Sequence, residues 1–232
     1  MIKNAMILAA GFGKRLHPIT LKLPKPLLKI GKKTLLSNTI NFLEDYGIKQ
    51  VVINCHYLAE QIIDYIRKNK FKLSISIVKE ENKILDTGGG VLNAINYFSN
   101  KSFIIINPDT IWNLNYLKEL KLMEENFLKN EKNKCSLLIV NKKKSFDKSL
   151  KGDFNLENNF ISREKRDSLE YIYTGLQIVR PEVFSSFNEK IFSINKVWNK
   201  LIKNRGLYGT KSEIEFLHVS NLTVYNNLLK KL

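Results

Sequence analysis

Near its start the chain reads Leu8-Ala9-Ala10-Gly11-Phe12-Gly13-Lys14-Arg15-Leu16, then Pro18-Ile19-Thr20 and Pro24-Lys25-Pro26-Leu27. Small residues and glycines directly after an apolar run let the backbone fold tightly around an anion. Its N–H groups then face phosphate oxygens. Lys14 and Arg15 add cations where charge must be neutralised. The spacing matches neither the dinucleotide fingerprint nor the P-loop: Leu16 stands where the third glycine would fall, and no Gly-Lys-Ser/Thr follows. The prolines flanking Lys25 stiffen the backbone and deny it helix, so the lysine loses less freedom on meeting a charged ligand. Taken singly, each piece reads as a turn with solvated basic residues. Together they point to a phosphate site.

Further along, Asn107-Pro108-Asp109 follows an apolar run and places a carboxylate at a strand end. A hard cation such as Mg2+ needs only one or two carboxylates besides phosphates and water. The plain alternative is a turn-forming Asp. Thr87-Gly88-Gly89-Gly90 reads as a helix start, where the glycines permit close approach of a flat ligand and Thr87 can cap. Gly152-Asp153 is either a turn or an acceptor for hydroxyl groups. Cys55 and Cys135 form no CxxC pair and no Cys/His cluster, which argues against a zinc site or a disulfide framework. No Ser/His/Asp arrangement suggests a covalent nucleophile.

These residues need a scaffold, and the hydrophobic pattern supplies one. Strand-like apolar runs cover 5–9, 51–54, 73–78 and 103–106, with helical periodicity at 35–45, 58–68 and 91–98 between them. That alternation is the signature of an α/β doubly wound, mostly parallel, Rossmann-like sheet. Ligands then sit beyond the carboxyl ends of the strands, in the loops after Ala9, Asn54, Val78 and Ile106. A helix over 114–129 and a strand over 136–140 follow. Beyond them lie a strand-like 171–179, a helix near 197–203 and a last helix from about 221. One domain over 1–232 is the expectation, with the second half shaping the pocket of a second substrate. Trp112 and Trp198 read as packing residues, Trp112 near enough to Asp109 to line the pocket.

The stretch LAAGFGKRLHPITLKLPKPLLKI resembles the N-terminal signature of sugar-1-phosphate nucleotidyltransferases. The likeness continues through Asn54-Cys55-His56-Tyr57-Leu58, Asp86-Thr87-Gly88-Gly89-Gly90, Asn107-Pro108-Asp109, Lys151-Gly152-Asp153-Phe154 and Tyr173-Thr174-Gly175. Within that family it looks most like the N-acetylmuramate-1-phosphate uridylyltransferases. The resemblance implies the nucleotide-diphospho-sugar transferase type of fold with a short sugar-binding extension. Residues 1–112 would be mainly nucleotide-binding and 113–232 mainly sugar-binding. It implies that Leu8, Ala10, Gly11, Gly13 and Lys14 hold the nucleotide, with Glu81, Thr87, Gly88 and Gly89 near the base. Arg15 would lie against the departing pyrophosphate and Lys25 against the α-phosphate or the sugar phosphate, making Arg15, Lys25 and Asp109 the catalytic set. Asn54, Gly152, Asp153, Thr174 and Gly175 would face the sugar, and His56 and Tyr57 read as structural. Lys165 and Arg166 read as solvated surface first and as sugar-phosphate contacts second.

The pattern departs from the family at two places. Pro108 stands where many relatives have Gly. Relatives often carry an Asp just before a Gly-Thr near the C-terminus, and here His218 takes that position while Ser220 and Asn221 replace the pair. The metal set implied is Asp109 with His218, holding Mg2+, or Mn2+ because imidazole is softer than Mg2+ favours; the other reading makes His218 a hydrogen-bonded structural residue and rests the metal mainly on Asp109 and phosphate oxygens.

A formal charge of +16 invites a nucleic-acid reading, but the lysines are scattered, and the cluster Lys142 to Lys144 falls in a loop. The basic field suits nucleotides and sugar phosphates instead. No apolar run reaches the roughly 20 residues that span a bilayer, and Gly11 to Arg15 replace the cleavage pattern of a signal peptide. A cytoplasmic monomer or simple homodimer is expected. Its substrates would be a nucleoside triphosphate and a sugar 1-phosphate, UTP and N-acetylmuramic acid 1-phosphate in cell-wall sugar recycling being the specific pair. Guanylyl transfer to mannose 1-phosphate and cytidylyl transfer to phosphocholine stay open, as does a non-catalytic nucleotide-sugar-binding protein.

Overall fold

The structure, a computed structural model, describes residues 1–164 and 168–232. The four apolar runs of the first half form β1 (Asn4–Leu8), β4 (Gln50–Cys55), β5 (Ser74–Lys79) and β6 (Phe103–Ile106), and two-residue strands β2 (Lys29–Ile30) and β3 (Lys33–Thr34) make a separate small hairpin. The second half adds β7 (Cys135–Asn141), β8 (Asn155–Glu157), β9 (Phe160–Ser162), β10 (Tyr171–Val179) and β11 (Leu207–Ser212). The main sheet runs β5-β4-β1-β6-β10-β7-β11-β9-β8. β5, β4, β1 and β6 are parallel neighbours, β10 runs against both β6 and β7, and β11 is parallel to β7. The result is a mixed, mostly parallel central sheet.

The helices are α1 (Leu35–Tyr46), α2 (Ala59–Lys68), α3 (Asp86–Ala94), α4 (Asn115–Lys129), α5 (Ile194–Lys203) and α6 (Leu222–Lys231). Alternate strand residues decide which helices meet which face. Ile7, Val51, Ile53, Ile104 and Ile106 share one core with residues of α1, α2 and α4. Met6, Val52 and Ile105 share the other with residues of α3 and α5. A sheet buried on both faces has to be apolar at successive positions, which is why its central strands read as unbroken apolar runs. No helix of the described residues is long and apolar enough to cross a membrane.

α3 starts at Asp86, one residue ahead of the helix start read at Thr87; the apolar periodicity begins only near 91 because Gly88, Gly89 and Gly90, buried inside the helix, carry no side chain to mark it. Its expected end, Ile95–Phe98, tightens into a 3-10 turn. The strands missed by periodicity are short or broken by polar residues. β8 and β9 have three residues each, and β11 carries Gly209 and Lys211. Added atoms at Gly209 would come within 2.6 Å of Ile161 and 2.8 Å of Leu156. Glycine there lets the β8–β9 hairpin lie against the sheet.

Candidate active site

The carboxyl ends of β1, β4 and β6 open on one cavity of about 420 Å3, within the range of small-ligand pockets. Of the sequence-nominated residues, Leu8, Ala10, Gly11, Gly13, Lys14 and Arg15 line it from the first loop. Lys25, Asn54, Thr87 and Asp109 join them from four other segments. Gly13 has φ +64, a left-handed conformation, and a Cβ there would stand 3.1 Å from Thr20 Cγ2 and 3.2 Å from Lys25 Cβ. Its carbonyl accepts from Leu16 N and Thr20 Oγ1. Glycine therefore both turns the loop and lets the Pro-Lys-Pro segment close against it.

Asn54 sits at the end of β4 and is buried. Its Oδ1 accepts from Ala9 N at 3.0 Å and its Nδ2 donates to Glu80 Oε1 at 2.7 Å. Glu80, 3% exposed, also takes Leu85 N on Oε2 at 2.8 Å, just ahead of α3. A buried carboxylate is tolerable where it is hydrogen-bonded and faces a helix N-terminus. Glu80 thus ties β4, the first loop and α3 together. Sequence reasoning chose its neighbour Glu81, which is exposed and outside the cavity lining. The available signal was position, since Glu80 directly follows β5 at the carboxyl edge of the sheet.

Asp109 lies three residues beyond β6. Its Oδ2 meets Lys25 Nζ at 2.5 Å and His218 Nε2 at 3.2 Å. Burial alone would push its carboxyl up, but the Lys25 and His218 charges and their hydrogen bonds hold it well below the usual carboxylate range. Oδ1 is buried without a hydrogen-bond partner, leaving an acceptor that suits a hard cation. Among the described residues no group of three or more His, Cys, Asp or Glu side chains is placed to hold a metal ion. A metal here would complete its shell with phosphate oxygens and water.

His218 is brought to Asp109 by backbone pairing. Ile111 N donates to Leu217 O at 2.8 Å and Val219 N to Asp109 O at 2.9 Å. Two further on, Ser220 lines the cavity and donates to Asp147 Oδ2, while Ser149 N and Oγ hold Asp147 Oδ1. Ser220 stood out in the sequence only as a departure from the family pattern and Asp147 not at all, because their contact joins segments distant in the chain.

The residues expected to face a sugar, apart from Asn54, lie on β10 and the segment paired with it. β10 shifts register against β7 between Tyr173 and Gln177. Gly175, at φ +94, sits in that irregularity and its carbonyl accepts from Asn107 N at 2.7 Å. Thr174 is buried and donates to Leu138 O. Asp153 accepts from Tyr173 N; loss of solvent around the carboxyl group pushes its pKa up, against this bond and the nearby Arg163 and His218 charges, although the residue as a whole keeps an exposed surface. A Cβ on Gly152 would reach 2.0 Å from Leu169 O. None of these four lines the cavity. Gly88 and Gly89 also face away from it: both N–H groups donate to Phe192 O, and added Cβ atoms would strike Phe192 and Lys190 O. Trp112 packs in the core on Phe42 and Tyr116, with its indole N–H on Asn107 O. Lys165 and Arg166 lie outside the described residues. Ile84, Asp86 and Asn107 also contribute to the cavity wall.

Residues 4–146 match the model of the family described as Nucleotidyl transferase. The chain belongs to that family. Among its relatives, an N-acetylmuramate alpha-1-phosphate uridylyltransferase of Caulobacter vibrioides is 26% identical over 224 residues, covering 94% of this chain and 92% of that protein. A mannose-1-phosphate guanylyltransferase catalytic subunit beta of Drosophila melanogaster is 28% identical over 212 residues, covering 88% of this chain and 56% of the relative. This nucleotidyl transferase also shares its fold with HddC from Yersinia pseudotuberculosis complexed with GMP-PN. There the TM-score is 0.78 at 24% identity, with 99% of each chain covered.

Proposed function

We propose that this nucleotidyl transferase moves a nucleoside monophosphate from a nucleoside triphosphate to a sugar 1-phosphate. The observation that carries the reading is the meeting of Lys25 and Asp109 at the cavity formed by the glycine loop. A phosphate-cradling backbone, a restrained ammonium and an ionised carboxylate converge where two anionic partners must be brought together. A sugar phosphate oxygen attacks the α-phosphorus, the bond to the β-phosphate breaks, and pyrophosphate leaves with the electron pair. Backbone N–H groups around Ala10, Gly11 and Gly13 hold the triphosphate. Arg15, exposed at the rim, offsets charge on the leaving group, and Lys25 screens the approaching phosphates. Mg2+ or Mn2+, held through Asp109, would neutralise charge on the phosphate oxygens.

UTP with N-acetylmuramic acid 1-phosphate is the first pair to test, from the Caulobacter relative's name and its nearly full-length match. Guanylyl transfer to mannose 1-phosphate is the second, because relatives of that name match at similar identity. Pyrophosphate release is measured over a grid of triphosphates and sugar 1-phosphates, with Asp109→Ala alongside. Turnover of one pair, lost in the variant, identifies both substrates. Silence across the grid with either metal, while a nucleotide still binds, overturns catalysis in favour of a nucleotide-sugar-binding protein.

A further inference from the structure

Phe12 interrupts the glycine loop with a large apolar side chain that is 37% exposed. Gly11 and Gly13, on either side of it, line the cavity, and Phe12 does not. Its ring instead meets the turn between β4 and α2. It packs edge-to-face with His56, centroids 5.9 Å apart and 88° between planes, and lies tilted against Tyr57 at 5.4 Å. Both partners are themselves fixed. His56 Nδ1 donates to Glu80 O at 2.6 Å, and Tyr57 Oη donates to Thr20 O at 2.9 Å. Lys14 Nζ lies over the Phe12 ring, 5.4 Å from its centroid.

The same turn holds the chain beyond the loop. Thr20 is fully buried and donates through Oγ1 to Gly13 O at 2.9 Å. Gln61, in the first turn of α2, donates to Lys22 O at 3.0 Å. Tyr57, Thr20, Gly13 and Phe12 thus close a ring of contacts around the left-handed turn of the loop. Such a brace answers a physical need. Glycine carries more conformational freedom than any other residue, and among the described residues neither Gly11 nor Phe12 donates a backbone hydrogen bond. Amides left free to meet phosphate are also amides that no backbone partner holds in place. Side chains must order them before a ligand arrives, or binding itself bears the cost of ordering. An ammonium within about 6 Å of an aromatic centroid is attracted to the ring face, so Phe12 also fixes where Lys14 stands at the cavity wall.

We propose that Tyr57 and Phe12 are positioning residues for the phosphate-binding loop, Tyr57 bracing its turn through Thr20 and the Phe12 ring aiming the Lys14 ammonium. The inference rests on the phosphate-holding role proposed above for this loop. From sequence Tyr57 reads as structural, because nothing local shows that its hydroxyl reaches a carbonyl 37 residues earlier. The ligand concerned is the phosphate chain itself, whatever base or sugar the cavity takes.

The test is binding of inorganic tripolyphosphate to the full chain by isothermal titration calorimetry, a probe that carries neither base nor sugar. Tyr57→Phe keeps the ring and deletes only the hydroxyl. Phe12→Leu keeps apolar bulk and deletes the π face, which Phe12→Tyr retains. Tyr57→Phe and Phe12→Leu should each bind roughly three- to fivefold more weakly than wild type, the effect of one hydrogen bond or one exposed cation–π contact. Phe12→Tyr should match wild type. Circular dichroism and the melting temperature report folding, and the two Phe12 substitutions keep the test valid if Tyr57→Phe does not fold. A role confined to packing lowers the melting temperature and leaves affinity alone. Equal affinity across the folded variants therefore overturns the inference and leaves the proposed transfer standing. Phe12→Tyr as weak as Phe12→Leu overturns it too, since the π face would then have no part. Wild type that turns over a triphosphate without binding tripolyphosphate overturns this inference alone. Wild type that does neither removes the phosphate site and the transfer together.

Discussion

Lys25 and Asp109 answer each other's burial, with side chains only 15% and 18% exposed, so removing either partner has consequences at more than one level. Asp109→Asn keeps the shape and deletes the charge. If the carboxylate organises cations around the phosphates, kcat should fall by at least about a hundredfold, and steady-state kinetics on the identified pair would show it. Unchanged turnover would remove Asp109 from the chemistry. The pair also carries a pH signature. The folded pKa of Asp109 lies below its ordinary value of 3.8. Its contribution to stability is therefore present above that value and is lost as pH falls through the folded pKa. Lys25→Met removes a main cause of the depression and leaves burial to push the carboxyl up. Acid unfolding of the variant should begin at higher pH than in wild type, with a loss of about 2 kcal/mol at neutral pH. Acid titration followed by circular dichroism checks both; coincident curves would mean the pair is energetically idle. Gly175→Ala tests the backbone instead. At φ +94 with Asn107 Cβ only 3.0 Å from an added Cβ, it should cost about 1–3 kcal/mol, measured by urea unfolding.

Among the elements, α3 and the loop before it depend on Glu80, which joins them to β4 through Asn54. Glu80→Gln preserves size but turns one NH2 group toward a donor, either Asn54 Nδ2 or Leu85 N. A buried donor left facing a donor costs about 1–3 kcal/mol. Asn54 also holds Ala9 N at the start of the glycine loop, so on the proposed function the slack should reach the nucleotide. The expected outcome is a raised KM for the triphosphate with kcat little changed; a pure stability loss at unaltered KM would confine Glu80 to packing. The other side of α3 rests on residues 190–194. Gly88 and Gly89 donate to Phe192 O, and Thr87 Oγ1 accepts from Ile194 N at 2.9 Å. Three consecutive glycines invite a ligand explanation from sequence. In the fold, Gly88 and Gly89 admit the neighbouring segment, and Gly90 lies against Asn54 and Glu80. Both uses demand a missing side chain, and local sequence carries no mark that separates them.

For the whole molecule, the alternation of apolar runs and helical periods was enough to read the central sheet, because β1, β4 and β6 are buried on both faces. The first loop and the Lys25 segment were equally legible, since glycine and proline act locally. What the sequence hid was long-range. Ser220 to Asp147 and Leu217 to Ile111 are contacts between distant stretches, and β10's irregularity near Gly175 is a property of its pairing with β7. Net charge is also a whole-molecule property that the sequence does show. At +16, with Lys14 and Arg15 exposed at the cavity rim, the field should draw a polyanionic nucleotide inward. Such steering raises association rates by about 10 to 1,000-fold and is screened beyond about 10 Å at 0.1 M salt. Raising salt from about 0.05 to about 0.5 M should therefore lower kcat/KM for the triphosphate roughly tenfold while leaving kcat nearly constant. Reversing both rim charges, as Lys14→Glu with Arg15→Glu, separates the two sources. If the salt slope survives, the distributed lysines supply the field; if it vanishes, two residues do. A flat profile in wild type would mean that encounter does not limit kcat/KM, and the excess of lysine would then have no part in bringing substrate to the site.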